Sequence, residues 1–292
     1  MSQGDGERAL PGTSTTVETN GVTLHVRQAG PDDGPPVVLL HGFPEFWYGW
    51  HRQIGPLADA GYRVLAPDGR GYNRSDKPDG IRAYHIDELA ADVIGLLDVH
   101  GYAQASFVGH DWGAMVGWWL AFEYPDRLDR LCVLNVPHPG VFGDALVRSW
   151  RQRLNSWYVL FFQLPWLPEA VLSARNHEFL TRVFTTTSRE GTFSRDDLRR
   201  YRSAWEQPGA LTGMLNWYRA VGRNLTSLSR RDRVTVPTLL LWGTRDSALQ
   251  PELAPRSAAM CDQGSIECED ATHWLQHEKP SLVTGRLLSF LE

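Results

Sequence analysis

The sequence predicts an α/β fold: a mostly parallel, doubly wound central sheet flanked by helices, with a helical cap inserted into it. Three observations predict this. Short, nearly continuous apolar runs recur along the chain, as strands buried on both faces require. Helical patterns alternate with them, which is the order that builds a parallel sheet. That alternation lapses from about Pro139 to Arg231 and then resumes, so the helical stretch reads as an insertion.

Taken in order, residues 1–13 are polar and Gly-rich and read as a flexible tail. They lack the charged and then apolar regions of a signal peptide. Thr15–Thr19 and Val22–Arg27 are β-rich runs joined by Asn20-Gly21, a strong hairpin signal. Pro36–Leu40, Arg63–Ala66, Ala105–Gly109, Leu131–Val136 and Thr238–Trp242 are the buried-strand candidates, and Ser265–Cys268 is the last. His85–Val99 sets Ile86, Leu89, Val93, Leu96 and Leu97 on one helical stripe, and Gly101 can close that helix. Pro280 opens a final helix, Ser281–Leu291, where its missing N–H costs nothing. The core is therefore assigned to 14–138 and 232–292, and the cap to 139–231. Five tryptophans stand in the cap: Trp150, Trp157, Trp166, Trp205 and Trp217.

Bulk composition narrows the classes. The 292 residues are 42% hydrophobic and 22% charged, with a net charge of −5. No Lys/Arg block marks a nucleic-acid or membrane patch, and no apolar run reaches the roughly 18 residues needed to span a bilayer. Cys132, Cys261 and Cys268 are too few and too scattered for a disulfide framework or a Cys-based metal site. A soluble protein of a reducing compartment, the cytoplasm, is the expectation, as a monomer or homodimer.

The chemistry concentrates at Phe107-Val108-Gly109-His110-Asp111-Trp112-Gly113. An apolar strand runs into a small-x-Asp-x-small turn, and a largely apolar helix (Ala114–Phe122) follows. Flanking glycines permit the tight turn that lifts one side chain above the sheet, and the helix N-terminus favours negative charge there. A carboxylate is already ionised at neutral pH and suits displacement at an sp³ carbon without a base. Alone, the motif fits a nucleophile or a helix N-cap equally. Leu39-Leu40-His41-Gly42-Phe43-Pro44-Glu45 follows a buried strand, where a second oxyanion donor belongs, so the backbone N–H groups of Phe43 and Trp112 are the candidates. His41 reads as a loop-fixing residue, and the Phe43–Pro44 bond is compatible with either isomer.

Four segments in order then resemble the motif series of α/β-hydrolase-fold epoxide hydrolases. They are His41-Gly42-Phe43-Pro44-Glu45, Asp68-Gly69-Arg70-Gly71-Tyr72-Asn73-Arg74-Ser75-Asp76, Gly109-His110-Asp111-Trp112-Gly113 and Thr272-His273-Trp274. The resemblance covers essentially everything after residue 13. It implies hydrolysis of an epoxide to a vicinal diol through an ester on Asp111.

On that fold the triad runs nucleophile, acid, then His. His273 follows the last strand-like run, and Asp246 follows Leu239-Leu240-Leu241-Trp242-Gly243. The alternative acid position reads Asn135-Val136-Pro137-His138-Pro139 and holds no carboxylate. Asp246 would fix the His273 tautomer and stabilise the imidazolium. His273 and His277 are four apart, as in a helical zinc pair, but the intervening Trp-Leu-Gln lacks the catalytic Glu, so no metal is assigned. The resemblance further implies Tyr158 and Tyr218 as paired acids toward the epoxide oxygen. Phe43, Trp112, Trp157, Phe161 and Trp217 are the expected apolar pocket residues. Water and a small apolar epoxide are the implied partners, with no nucleic acid and no organic or metal cofactor.

Several rival readings share parts of this pattern. A haloalkane dehalogenase would carry Asn where Phe43 stands, and a fluoroacetate-type dehalogenase would follow its nucleophile with Arg instead of Trp112. A non-catalytic binding protein on this fold would usually have lost triad members. A serine esterase is excluded by Asp111.

Overall fold

The computed structural model describes residues 10–223, 230 and 232–292. Eight strands form one sheet: β1 (Thr13–Thr19), β2 (Val22–Ala29), β3 (Pro36–Leu40), β4 (Arg63–Pro67), β5 (Ala105–His110), β6 (Leu128–Leu134), β7 (Thr238–Gly243) and β8 (Gly264–Glu269). Their spatial order is β1-β2-β4-β3-β5-β6-β7-β8. Only the β1–β2 and β2–β4 pairs are antiparallel. The hairpin register pairs Thr19 with Val22 across Asn20-Gly21, and both turn residues have positive φ, as a two-residue hairpin demands.

The core helices are α1 (His51–Asp59), α2 (Ile86–Val99), α3 (Trp112–Glu123), α10 (Leu253–Ala258), α11 (Leu275–Glu278) and α12 (Pro280–Leu291). Between β6 and β7 lie only helices among the described residues: α4 (Pro139–Arg148), α5 (Trp150–Asn155), α6 (Trp157–Phe161), α7 (Leu167–Thr187), α8 (Arg195–Trp205) and α9 (Ala210–Arg223). α7 is broken at Ala174–His177, where the backbone leaves the helical region. β3, β5 and β7 are buried along nearly their whole length, which explains why they read as continuous apolar runs rather than alternating ones.

Two sequence assignments need adjustment. Thr13, placed in the tail, already pairs with Gln28 in β1, and the carbonyls of Leu10 and Pro11 accept hydrogen bonds from the Arg27 guanidinium. A single arginine thus draws this end of the chain onto the sheet; the rest of the assigned tail, 1–9, lies outside the described residues. The sixth strand begins at Leu128 and ends at Leu134, because Asn135 turns the chain with φ 57°.

Side chains of the cap helices bond it to the sheet domain. Tyr201 donates to Glu45, Trp205 to the Pro44 carbonyl and Trp217 to the Arg70 carbonyl, at 2.6–2.9 Å. Trp274 in turn donates to Thr187 of α7 at 2.8 Å. These polar ties seat α8 and α9 above the C-terminal ends of the parallel strands, which is where open α/β sheets place their sites.

Candidate active site

Asp111 sits between β5 and α3 with φ 50° and ψ −122°, a conformation L-residues rarely adopt. Its glycines are there for lack of room. A Cβ on Gly113 would meet the Leu40 carbonyl oxygen at 2.1 Å, one on Gly109 the Gly113 carbonyl oxygen at 2.4 Å, and one on Gly42 the Asp111 Cβ at 2.3 Å. Backbone from two strand ends therefore closes on the turn and holds the carboxylate above the sheet. Phe43 N–H donates to Asp111 Oδ1 at 2.8 Å. Trp112 is the first residue of α3, and an N–H at that position has no acceptor within its own helix. The Phe43–Pro44 peptide is cis.

His273 lies on the loop after β8. Its Nδ1 is 2.7 Å from Asp246 Oδ2, and its Nε2 is 3.5 Å from Asp111 Oδ2. Burial alone would lower the imidazole pKa, but the Asp246 charge and the contacts with both carboxylates outweigh it and raise it to about 10. Asp111 is the complement. Burial pushes its carboxyl up, yet His273 and His110, with the Phe43 N–H, hold it below its ordinary value. Asp246 accepts from the Ala248 and Leu249 N–H groups on Oδ1, and from His273 and the Asn135 amide on Oδ2. A buried carboxylate so fully bonded is held in one orientation.

Tyr158 from α6 and Tyr218 from α9 face each other at 6.0 Å between ring centroids, at 80°. Tyr218 is wedged edge-on against Phe43 and Trp112, and both tyrosines pack against Phe162. Burial and the Asp111 charge raise both phenols above their usual pKa, so both remain neutral donors at neutral pH.

Two cavities meet at this point. The larger, about 370 Å³, runs along Leu154, Trp157, Phe179 and Val183 to His273 and Trp274. The smaller, about 80 Å³, lies against Trp112, Met115, Val136 and Phe142. Asp111, Tyr158, Tyr218 and Leu249 border both.

Of the expected pocket residues, Phe43, Trp112 and Trp157 line these cavities. Trp217 and Phe161 do not. Trp217 is 2% exposed, its indole N–H committed to Arg70, and it packs edge-on beneath Trp112 and Tyr72. Phe161 packs between Trp157 and Phe162. His41 holds its loop: its Nε2 accepts from Gly69 N–H at 3.0 Å. His277 turns away from His273 to meet Glu45 Oε1 at 2.6 Å.

Three supporting residues escaped the sequence reading. Asn135 stands at the alternative acid position and donates to Asp246 at 3.0 Å. His110 bridges Glu45, at 3.1 Å, to the His273 carbonyl, at 2.8 Å. Glu45 itself is 1% exposed and bonded to His110, His277, Tyr201 and Gln276. The signal for the last was its place beside the His41–Pro44 loop; for the other two, their neighbours in sequence say nothing of these contacts.

The α/β hydrolase fold family model matches residues 35–280. A Bacillus subtilis protein named AB hydrolase superfamily protein YfhM is 48% identical over 278 residues, covering 94% of this chain and 96% of its own. Human epoxide hydrolase 4 is 38% identical, covering 94% and 77%. This chain belongs to the epoxide-hydrolase branch of the α/β-hydrolase fold family. In this branch the Bacillus megaterium epoxide hydrolase, solved with an inhibitor, superposes with a TM-score of 0.87 at 30% identity, covering 95% of this chain and 99% of that one.

Proposed function

We propose that this protein hydrolyses apolar epoxides to vicinal diols in two steps, through an alkyl ester on Asp111. The observation that carries the reading is the position of one carboxylate, Asp111, where both cavities meet, with two neutral phenols bordering both and the His273 imidazole bordering the larger. Oδ1 is held by the Phe43 N–H, which leaves Oδ2 to attack an epoxide carbon. The carbon–oxygen bond breaks as Tyr158 and Tyr218 protonate and hydrogen-bond the departing oxygen, which would otherwise leave as an alkoxide.

Esterification removes the negative charge on Asp111 that helps keep His273 protonated. His273 then gives its proton through water to the phenolate left by ring opening, and the neutral imidazole, still braced by Asp246, takes a proton from the hydrolytic water. The hydroxide adds to the ester carbonyl, whose oxygen is stabilised by the Phe43 and Trp112 N–H groups. Collapse breaks the bond to the alkoxide, which takes the proton brought by the added hydroxide and leaves as diol, restoring the Asp111 carboxylate beside the His273 imidazolium. The residues of this site need no metal or organic cofactor for either step.

The unequal cavities suit an epoxide with one long or aromatic arm toward Trp157 and Phe179 and one short arm toward Met115. The test is His273→Gln incubated with styrene oxide and analysed by intact-protein and peptide mass spectrometry. An adduct of one substrate mass on the peptide containing Asp111 is expected; an unmodified protein that still forms diol would overturn the covalent route.

A further inference from the structure

The five cap tryptophans divide into two kinds. Trp205 and Trp217 are buried and bonded to the core, whereas Trp150, Trp157 and Trp166 are 68%, 56% and 73% exposed. They have company. Val147, Leu154, Leu160, Leu164 and Leu167 are exposed along the same stretch, and only Val99 among the other described large apolar residues is as open. An apolar surface concentrated on one continuous segment, from the end of α4 to the start of α7, marks a place of contact.

Its charge says with what. Between Asp144 and Glu169 the only charged side chains are Arg148, Arg151 and Arg153, and all three are exposed. The whole chain carries −5, so this cationic face opposes the sign of the molecule around it. A second copy docked through a two-fold axis would bring the same arginines against one another. An anionic lipid surface instead matches every component. Tryptophan favours the headgroup boundary, leucine the acyl side, and arginine reaches phosphate while its stem stays in apolar surroundings. The segment would lie on a bilayer without crossing it; no described helix is long and apolar enough to span. Leu154 and Trp157 are both exposed and lining the larger cavity, so that cavity opens within this face.

We propose that residues 147–167 dock the protein on anionic lipid bilayers, with Trp150, Leu160 and Trp166 at the headgroup boundary and the three arginines on lipid phosphates. Apolar substrate dissolved in the lipid then enters the larger cavity past Leu154 and Trp157. The entry route rests on the epoxide-hydrolase reading; the docking does not, and vesicle binding reads it without any turnover.

The experiment is co-sedimentation of the full chain with vesicles of phosphatidylcholine alone, or of three parts phosphatidylcholine to one of phosphatidylglycerol. The protein should pellet with the anionic vesicles. Replacing Arg148, Arg151 and Arg153 by Gln should weaken that binding by about tenfold to a hundredfold, from the loss of three surface charges. The Trp150→Ser, Leu160→Ser, Trp166→Ser variant should also remain in the supernatant, yet keep its circular dichroism and its turnover of a short, water-soluble epoxide. Wild-type protein left in the supernatant with anionic vesicles overturns the proposal. So does elution as a dimer that the serine variant converts to monomer without any vesicle binding, which assigns the face to a second copy.

Discussion

His273 Nε2 stands 3.5 Å from Asp111 Oδ2, and each group sets the charge of the other. The imidazole is raised to about 10 with both carboxylates charged, so the resting site holds an ion pair. The expected consequence is that Asp111→Asn lowers the His273 pKa, because one of its two anionic neighbours becomes neutral while Asp246 remains. NMR titration of the His273 ring in the two proteins measures this. An unchanged value would mean that the charge on Asp111 does not gate the base.

The two phenols should act on the first chemical step alone. Tyr158→Phe and Tyr218→Phe should each slow formation of the ester, and the double variant should lose most activity, within the about 10²- to 10⁴-fold that general acids contribute. Stopped-flow tryptophan fluorescence over a single turnover separates the phases. Normal alkylation in the double variant would remove both tyrosines from the chemistry.

Asn135 should matter to the second step. Its amide donates to Asp246 and to the Thr272 carbonyl, and its oxygen accepts from Gly243 N–H. Asn135→Gly keeps the positive φ accessible while deleting these bonds. Hydrogen bonds to charged groups contribute about 1.5–3 kcal/mol, so ester hydrolysis should slow by about 10- to 100-fold and the alkyl-enzyme should accumulate. Equal slowing of both phases would reduce Asn135 to a general support of the fold.

Glu45 should govern acid stability. Burial would raise its carboxyl, but His277 and His110 hold it well below the ordinary value. A depressed folded value means that Glu45 stabilises the fold above the ordinary Glu range, and that this contribution is lost as pH falls through the folded value. Removing one partner of a buried charge cluster costs about 3–5 kcal/mol. Glu45→Gln should therefore lower the melting temperature near neutral pH and flatten its decline toward pH 3. Parallel melting curves for the two proteins across that range would contradict this.

The local signals that proved legible are those set by short-range rules. Asn20-Gly21 makes a hairpin because both residues tolerate positive φ. The glycines around Asp111 are legible because a tight turn between strand and helix has no alternative, and the motif order marks Asp111, Asp246 and His273 because each follows a strand end. Trp217 shows the limit. Its sequence neighbourhood is as aromatic as that of Trp157, yet one is bonded beneath the site and the other open at its rim.

What the sequence determined by itself was the strand and helix order and the tight glycine-flanked turn that presents the Asp111 carboxylate, since these depend on periodicity and backbone sterics within a few residues. Only the tertiary structure decided that Asn135 braces Asp246, that His110 ties Glu45 to the His273 loop, and which cap aromatics face cavity, core or solvent. Those contacts join residues about 65 to 160 positions apart. These partners are chosen by how the strand ends and loops of the core meet, and the cap aromatics by how the cap packs onto the sheet; no local pattern encodes either choice.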